Sequence, residues 1–263
     1  MSAPLRIGSI DHDRYDRSRR ISWLDMDSVF RSRVMIVGAG ALGNEVAKNL
    51  ALSGFRNMTI VDMDKVVGSN LNRCLFFTDD DVRRESNKAE AVARGVKSIS
   101  AESDPKAFVS MIEDVPDREF DGHDLVLGCL DNVQTRVHVN FKAYSKGIAY
   151  VDGGVEGFLG KVMVAMPPKG ACLQCGMNRT HARVAELRFS CTGKDVVLHV
   201  PRLPAEITTT SIVAAIMVRE ALKIVSKRRD LLLQNAFYYD GQRNMSEELE
   251  VPLDPDCPVH SRR

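Results

Sequence analysis

The sequence predicts an α/β protein with a Rossmann-like, doubly wound, mostly parallel sheet, antiparallel C-terminal strands and a zinc knuckle. Three observations predict this fold class. An apolar run, Val34–Val37, leads into the glycine-rich segment Gly38–Gly43 and then into helix-forming residues. Strand-like apolar runs alternate with helical spacing along most of the remaining chain. Two short pairs of metal-ligand residues, at 172–175 and 257–260, lie far apart in the sequence.

The individual elements follow from local patterns of apolar residues and turn signals. A charged helix pair is expected within 11–31, and a right-handed crossover joins the first two strands. A turn containing Gly153, Gly154, Gly157 and Gly160 separates two later strands. The predicted strands are 34–37, 58–62, 107–112, 125–130, 149–152, 161–166, 236–240 and 248–251, and the further helices are 41–53, 87–100, 132–146 and 208–225.

No linker divides the chain, so we expect one domain over residues 1–263. Its parts are the N-terminal helices (11–31), a nucleotide-binding half (33–150), the knuckle with a crossover loop (167–207), and the C-terminal helix and strands (208–263). About thirty residues after Cys175 show little periodicity and are interrupted by Pro201 and Pro204. An irregular segment of that length inside a compact domain is often functional.

The glycine-rich segment and the strand after it indicate a nucleotide site. Gly38, Gly40 and Gly43 allow backbone N–H groups to approach a phosphate, and the helix N-terminus adds partial positive charge. Asp62 ends a second strand 19 residues after Gly43, where a carboxylate can bind ribose hydroxyls. By itself this pattern indicates a dehydrogenase that uses NAD.

The residues after Asp62 favour ATP over NAD. Asn70, Asn72 and Arg73 form a basic and polar cluster, and Lys88 follows shortly afterwards. A triphosphate requires such cations, whereas a dinucleotide does not. A surface position on a helix is the alternative interpretation for Lys88.

Asp131 follows an apolar strand, at the edge where doubly wound sheets bind ligands. There its carboxylate could hold the Mg²⁺ that bridges phosphate oxygens. The alternative is that Asp131 caps the helix that follows it. Position alone does not separate the two.

Composition excludes several classes of function. The net charge is +1 and no basic stripe carries interleaved aromatic residues, so we expect no nucleic-acid partner. No apolar run is long enough to span a bilayer, and residues 1–16 do not resemble a signal peptide. We therefore expect a cytoplasmic protein whose six cysteines are reduced, metal-bound or catalytic.

Four residues suit a closed tetrahedral zinc site: Cys172, Cys175, Cys257 and His260. A redox Cys-x-x-Cys is the competing interpretation, but such a motif normally opens a helix in a thioredoxin-like unit, and none is evident. Cys129 lies in an apolar strand, and we interpret it and Cys74 as ordinary small side chains.

Nearly the whole chain resembles the enzymes that activate ubiquitin and ubiquitin-like proteins, with their bacterial relatives that adenylate sulfur-carrier proteins. The segments that carry the resemblance are RYDR at 14–17, GAGALG at 38–43, DMD at 62–64, SNLNR at 69–73, NKA at 87–89, LDNVQTR at 130–136, CLQC at 172–175, CTGKDVVLHVPRLPAE at 191–206 and TTTSIVAAIMVREALKIV at 208–225. The last two are most similar to the eukaryotic activating subunits. Cys74 departs from the Gln common in the family, and His260 departs from its second Cys-x-x-Cys pair.

The resemblance implies an adenylation domain that uses ATP, Mg²⁺ and Zn²⁺. It implies a nucleotide site containing Gly38, Gly40, Gly43, Asp62, Asp64, Asn70, Arg73, Lys88, Leu130, Asp131 and Asn132, with Asp131 as the magnesium ligand. The resemblance also implies catalytic roles for Arg73 and Lys88. Arg17 is similar to a residue that reaches the site of a neighbouring subunit, so we expect a homodimer.

Cys191 resembles the thioester cysteine of the eukaryotic activating subunits, with the Pro-Arg-Leu-Pro pattern at 201–204 after it. The expected function is ATP-dependent adenylation of the C-terminal glycine of a ubiquitin-like protein. A thioester on Cys191 and transfer to a conjugating enzyme would follow. The alternatives are an adenylyltransferase for a sulfur-carrier protein with a C-terminal Gly-Gly and a non-catalytic scaffold subunit of an activating complex. The alternatives for Cys191 itself are an incidental loop cysteine and a third thiol adjacent to the metal.

Overall fold

The computed structural model describes residue 11, residues 13–177 and residues 204–260. Within these ranges the strands form one eight-stranded sheet with the order β3-β2-β1-β4-β5-β6-β7-β8. Neighbours from β3 to β5 pair in parallel, and neighbours from β5 to β8 pair antiparallel. The strands are β1 Arg33–Val37, β2 Asn57–Val61, β3 Asp104–Phe108, β4 Leu125–Gly128, β5 Ala149–Glu156, β6 Leu159–Ala165, β7 Asn235–Asp240 and β8 Met245–Glu250. The predicted fold class is confirmed.

Helices connect the strands and cover both faces of the sheet. Short 3₁₀ turns lie at Gly68–Asn70, Ile112–Asp114 and Arg229–Leu231. The described α-helices are α1 Asp16–Arg19, α2 Met26–Arg31, α3 Ala41–Ser53, α4 Asp79–Arg83, α5 Lys88–Ile99, α6 Asp117–Phe120, α7 Val133–Ser145 and α8 Ile207–Val225.

The alternation of side chains along each strand divides the interior into two cores. Val34 and Ile36 of β1 point into the first core, with residues of α3, α5 and α8. Met35 and Val37 point into the second, with residues of α6 and α7. Every member of the central strand β4 is buried, as expected for a strand covered on both faces.

Two of the predicted strands lie at different positions in the structure. The strand expected at 107–112 is Asp104–Phe108, which pairs in register with Asn57–Val61. This strand lies at the sheet edge and tolerates polar residues and Pro105, so a search for apolar runs misses its start. The last strand is Met245–Glu250 rather than 248–251, and each of its residues is exposed. Pairing with β7, which an apolar pattern does not reveal, sets its bounds.

The glycines expected in a turn lie mostly within strands. β5 continues through Gly153 and Gly154, and the hairpin turns between Glu156 and Leu159. A Cβ on Gly153 would lie 2.2 Å from the Met217 sulfur of α8. The missing side chain therefore lets α8 pack directly onto the β5–β6 hairpin. The short helices α4 and α6 were not predicted, since neither contains a full amphipathic repeat.

None of the helices within the described ranges combines the length and the apolar character that crossing a bilayer requires.

We predict that Glu206 contributes to the stability of the fold by capping α8. Its carboxylate accepts hydrogen bonds from the N–H groups of Thr208 at 2.7 Å and Thr209 at 2.9 Å, and it also bonds the Thr208 hydroxyl. The pKa of Glu206 is lowered to about 2, and the hydrogen bonds from Thr208 are the largest cause. Glu206→Ala should lower the free energy of unfolding by about 1 kcal/mol at neutral pH.

The pH dependence follows from a folded-state pKa below the unfolded value. The cap is fully effective above the ordinary glutamate pKa and is lost as pH falls through the folded value of about 2. Chemical denaturation of wild type and Glu206→Ala at pH 7 and pH 3 should therefore show a smaller difference at pH 3. A difference that is independent of pH would contradict the capping role of the charged carboxylate.

Candidate functional site

A cavity of about 570 Å³ lies at the edge of the sheet where the parallel strands end. In β1, Val37 pairs with Val61 of β2 on one side and Gly128 of β4 on the other, and Val61 pairs with Phe108 of β3. Because these four strands end at the same level, the loops that follow them meet around one space. The strand order changes direction at β1, which is where doubly wound sheets bind ligands.

The glycine-rich loop after β1 lies directly against the end of β4. Gly38 has a φ of +96°, and a Cβ there would lie 2.4 Å from the Cys129 carbonyl oxygen. A Cβ on Gly43 would lie 2.0 Å from the Gly38 oxygen. These two glycines are thus required by the protein's own packing.

Gly40 differs, because a Cβ there would meet no protein atom within 4 Å. It is the N-cap of α3, and no side chain caps that helix end. The N-terminal amides of α3 and the open space beside Gly40 together suit an anion such as a phosphate.

Asp62 holds the glycine-rich loop in place. Its carboxylate accepts hydrogen bonds from the Ala39 N–H at 2.7 Å and from the Asp64 N–H at 2.8 Å. Burial raises the pKa of the Asp62 carboxyl, while the Ala39 bond and the Lys88 charge oppose that rise. The residue predicted to bind ribose lines the cavity and also fixes the loop that would receive the phosphates.

Three cationic side chains, Lys65, Arg73 and Lys88, line the same cavity. The Lys88 ammonium lies 2.7 Å from the Asp64 carboxylate, and its side chain is only 13% exposed. Lys88 is therefore part of the cavity wall rather than a solvated helix residue. The Arg73 guanidinium bonds the Ser69 carbonyl and lies 3.0 Å from the Asn72 amide oxygen.

Asn70 is buried in the turn before Arg73, and its amide oxygen accepts from the Val67 N–H at 3.1 Å. This bond closes the 3₁₀ turn that carries the basic segment, so Asn70 shapes the wall as well as lining it.

The end of β4 supplies three predicted site residues, Leu130, Asp131 and Asn132, to the cavity wall. The capping alternative for Asp131 is wrong, since Asn132 is the N-cap of α7 and accepts from the Gln134 N–H at 2.9 Å. Asp131 is exposed on the wall, so its carboxylate is available to a ligand.

Several lining residues were not predicted from the sequence. Met63 and Met111 border the cavity and are 56% and 47% exposed, which is high for apolar side chains. Glu113 accepts a hydrogen bond from the Thr135 hydroxyl at 3.0 Å, and both residues line the cavity. The position of Met63 between Asp62 and Asp64 is a sequence signal that could have placed it at the site. Glu113 and Thr135 are far apart in the sequence and meet only in the tertiary fold.

Arg17, a predicted catalytic residue, is not part of the cavity wall. The Arg17 side chain is 85% exposed, bonds Asp11 at 3.3 Å and does not line the cavity of its own chain. Cys191, the predicted thioester cysteine, falls outside the described residues.

The four predicted zinc ligands come together at the end of the second core. The ligand atoms of Cys172, Cys175, Cys257 and His260 all lie within 4.8 Å of one another. Within the part of the chain that the structure describes, this is the one cluster of its kind. It joins the loop after β6 to residues 257–260.

The geometry of the cluster fits zinc. The Cys172 sulfur lies 3.9 Å from that of Cys175 and 3.7 Å from that of Cys257. Tetrahedral sulfur ligands at about 2.3 Å from zinc are separated by roughly 3.8 Å. Burial raises the pKa of the Cys257 thiol to about 12 and also raises that of Cys172. A bound cation would compensate the thiolate charges.

The other described cysteines are buried outside this cluster. Burial raises the pKa of Cys74 to about 11 and raises that of Cys129 further. Both thiols are therefore protonated at neutral pH and are poor nucleophiles.

Comparison with known proteins identifies the family. The ThiF family matches residues 15–259, which is nearly the entire chain. The chain belongs to the ThiF family. This agrees with the expected superfamily of ubiquitin-like-protein-activating enzymes.

Members with known roles share about a third of the aligned residues. The NEDD8-activating enzyme E1 catalytic subunit of Caenorhabditis elegans is 31% identical over 208 residues, covering 72% of this chain and 46% of that protein. The corresponding subunit of Dictyostelium discoideum is 32% identical, with 65% and 40% covered. The SUMO-activating enzyme subunit uba-2 of C. elegans is 33% identical, with 59% and 27% covered. The chain thus spans less than half of the length of these ThiF relatives.

Solved structures share the ThiF fold at lower identity. E. coli MccB with ATP is 21% identical, has a TM-score of 0.76, and is matched over 96% of this chain and 75% of that one. PaaA is 19% identical with a TM-score of 0.70, over 91% and 82% of the two chains.

We predict that the purified protein contains one zinc ion per chain, held by the four clustered residues. Cys257→Ser should lose the metal and unfold at a lower temperature, since the link between residues 257–260 and the core is cut. Cys74→Ser is the matched control, because it removes a buried thiol outside the cluster. Elemental analysis of both variants decides the point. Wild-type protein without metal, or full zinc in Cys257→Ser, would contradict the assignment.

Proposed function

We propose that this ThiF-family protein uses ATP to adenylate the C-terminal glycine carboxylate of a ubiquitin-like protein. The observation that carries the proposal is the convergence of the glycine-rich loop, Arg73, Lys88 and Asp131 on one cavity. The names of the NEDD8- and SUMO-activating relatives support this choice of substrate.

We also propose a cytoplasmic location.

The chemistry requires two anions to meet. A carboxylate attacks the α-phosphate of ATP, and the products are an acyl-adenylate and pyrophosphate. The carboxylate is itself the nucleophile, so this step needs no enzyme thiol, and placement of the two substrates carries much of the rate. Lys88 and Arg73 supply positive charge that stabilises the negative charge developing on the phosphates.

Asp131 would hold a magnesium ion in this proposal. An exposed carboxylate oxygen on the cavity wall is the type of ligand that Mg²⁺ prefers. The bound ion would neutralise charge on the phosphate oxygens. A scaffold subunit without activity has no need of this carboxylate together with Arg73 and Lys88, which favours an active enzyme.

Arg17 would complete the site of a second copy in a homodimer. Its side chain is exposed and lies away from its own cavity, so any contact with nucleotide requires another chain. Each site would then receive one cation from the neighbouring subunit.

Cys191 would receive the carrier from the adenylate as a thioester and present it to a conjugating enzyme. Attack by the thiolate on the acyl carbon forms the C–S bond and releases AMP. The sulfur-carrier alternative stops at the adenylate or handles sulfur at Cys191. The two alternatives differ in whether a thioester forms between the enzyme and the carrier.

We predict that adenylation and thioester formation can be separated by mutation. Asp131→Asn should reduce carrier-dependent ATP–pyrophosphate exchange at least about a hundredfold, since it removes a charged group of the transition-state environment. Cys191→Ala should keep the exchange near the wild-type rate but lose the thiol-sensitive adduct on a non-reducing gel. Exchange assays and gels with a Gly-Gly-terminated carrier measure both.

The control for Asp131→Asn is Asp121→Asn, which changes an exposed carboxylate before β4, at the opposite edge of the sheet. It should leave both steps unchanged. Normal exchange in Asp131→Asn contradicts the proposed site. If the wild-type protein exchanges pyrophosphate rapidly but forms no adduct with the carrier, the sulfur-carrier alternative is favoured over the thioester.

We predict a second effect at Arg17 that depends on the dimer. Arg17→Ala should slow exchange while leaving the thermal stability unchanged. Arg118→Ala should change neither, and it is a matched control because Arg118 is 80% exposed with one carboxylate at 3.4 Å. Exchange rates and light scattering test the prediction.

Mixing Arg17→Ala with Asp131→Asn gives a sharper test. In a mixed dimer, the site with an intact Asp131 receives Arg17 from the other subunit. After random mixing, about half of the dimers are mixed, and each mixed dimer has one complete site out of two. The exchange rate should therefore recover to about a quarter of the wild-type rate. No recovery after subunit exchange, or a monomer with full activity, excludes the shared site.

A further inference from the structure

Asn44, in the first turn of α3, has a fully buried side chain that makes three hydrogen bonds to backbone groups. Its amide nitrogen donates to the carbonyl oxygens of Ala39 and Gly40, each at 3.0 Å. Its amide oxygen accepts from the Phe76 N–H, also at 3.0 Å. One side chain therefore bonds both the glycine-rich loop and the segment that follows Arg73.

The segment after Asn70 is a succession of tight turns. The Arg73 N–H donates to the Asn70 carbonyl at 3.1 Å, and the Phe77 N–H donates to the Cys74 carbonyl at 3.3 Å. Because Arg73 lies three residues before Phe76 in these turns, the attachment at Phe76 constrains where the guanidinium emerges.

The side chain of Cys74, between Arg73 and Phe76, packs in the apolar interior. It is buried within the first core, and burial keeps its thiol protonated. The polar connection between this segment and the glycine-rich loop is made instead by Asn44, from the helix.

We propose that Asn44 is a positioning residue for ATP, which sets the spacing between the glycine-rich loop and Arg73. The inference rests on the proposed nucleotide site. Asn44 does not line the cavity, so it acts through the two segments that it joins.

Removing the Asn44 side chain should disturb the two segments that it joins. Asn44→Ala leaves the Phe76 N–H buried without its acceptor, a loss that hydrogen-bonded interiors rarely tolerate. The Gly40 carbonyl keeps a second bond from the Asn44 backbone N–H at 2.9 Å, so α3 itself should persist. The basic segment is expected to shift away from the loop and carry Arg73 with it.

The test measures the KM for ATP in pyrophosphate exchange and the Kd for ATP without carrier. Asn44→Ala should raise both by about tenfold, with a smaller change in kcat, because misplaced groups weaken ATP binding. Asn44→Asp has the same shape and keeps the acceptor for Phe76, but it places carboxylate oxygens against the Ala39 and Gly40 carbonyls. It should also raise both constants, and it decides the question if Asn44→Ala does not fold.

Ser103→Ala is the matched control for loss of a buried hydrogen bond. The Ser103 side chain is fully buried and its hydroxyl donates to the Phe55 carbonyl at 3.2 Å, at the opposite edge of the sheet. This variant should lose stability without changing either constant for ATP.

The outcomes separate this inference from the proposed function. If wild type exchanges pyrophosphate and both Asn44 variants keep the wild-type KM and Kd, the positioning role is overturned and the proposed function stands. If wild type binds ATP but never exchanges, adenylation is wrong. A raised Kd in the Asn44 variants alone would still support the positioning role.

Discussion

The close approach of the glycine-rich loop to the end of β4 is the constraint on which the site depends. No side chain larger than hydrogen fits at Gly38 or Gly43, because a Cβ would lie within 2.4 Å of a carbonyl oxygen at either position. This contact places the first turn of α3 against the carboxyl edge of the sheet. The open space at Gly40 and the amides of α3 then lie beside the loops from the neighbouring strands.

Hydrogen bonds from buried or half-buried side chains extend that constraint to the remaining walls. Asp62 joins the glycine-rich loop to Asp64, which is paired with Lys88, and Asn44 joins the same loop to Phe76. Lys88 is thus held by a carboxylate whose backbone is bonded to the residue that fixes the loop, and Asn44 bonds the segment that follows Arg73 to the same loop. Such preorganisation is how electrostatic stabilisation avoids reorganisation during a reaction.

The second core shows how the C-terminal part supports the site. Cys172 and Cys257 are buried in the same cluster as Met35 and Val37 of β1. A zinc ion at these thiols would hold residues 257–260 against the sheet and stabilise the strands whose ends form the cavity. We therefore expect the metal to act on stability, remote from the reacting groups.

Local patterns predicted much of the fold and of the candidate site. A glycine-rich turn after a buried strand, an acid after the next strand and two ligand pairs are signals within short windows, and the structure groups them as expected. The limits of β3 and β8 depend on pairing at a sheet edge, which apolar periodicity does not encode. The contacts of Glu113 with Thr135 and of Asn44 with Phe76 form only through tertiary structure.

The most direct test of the central claim follows oxygen from the carrier to AMP. A carrier whose C-terminal carboxylate is labelled with ¹⁸O is incubated with enzyme, ATP and a thiol acceptor, and the products are analysed by mass spectrometry. Attack on the α-phosphate followed by acyl transfer leaves one labelled oxygen in AMP and none in pyrophosphate. AMP without label, or label in pyrophosphate or phosphate, would contradict adenylation of the carrier.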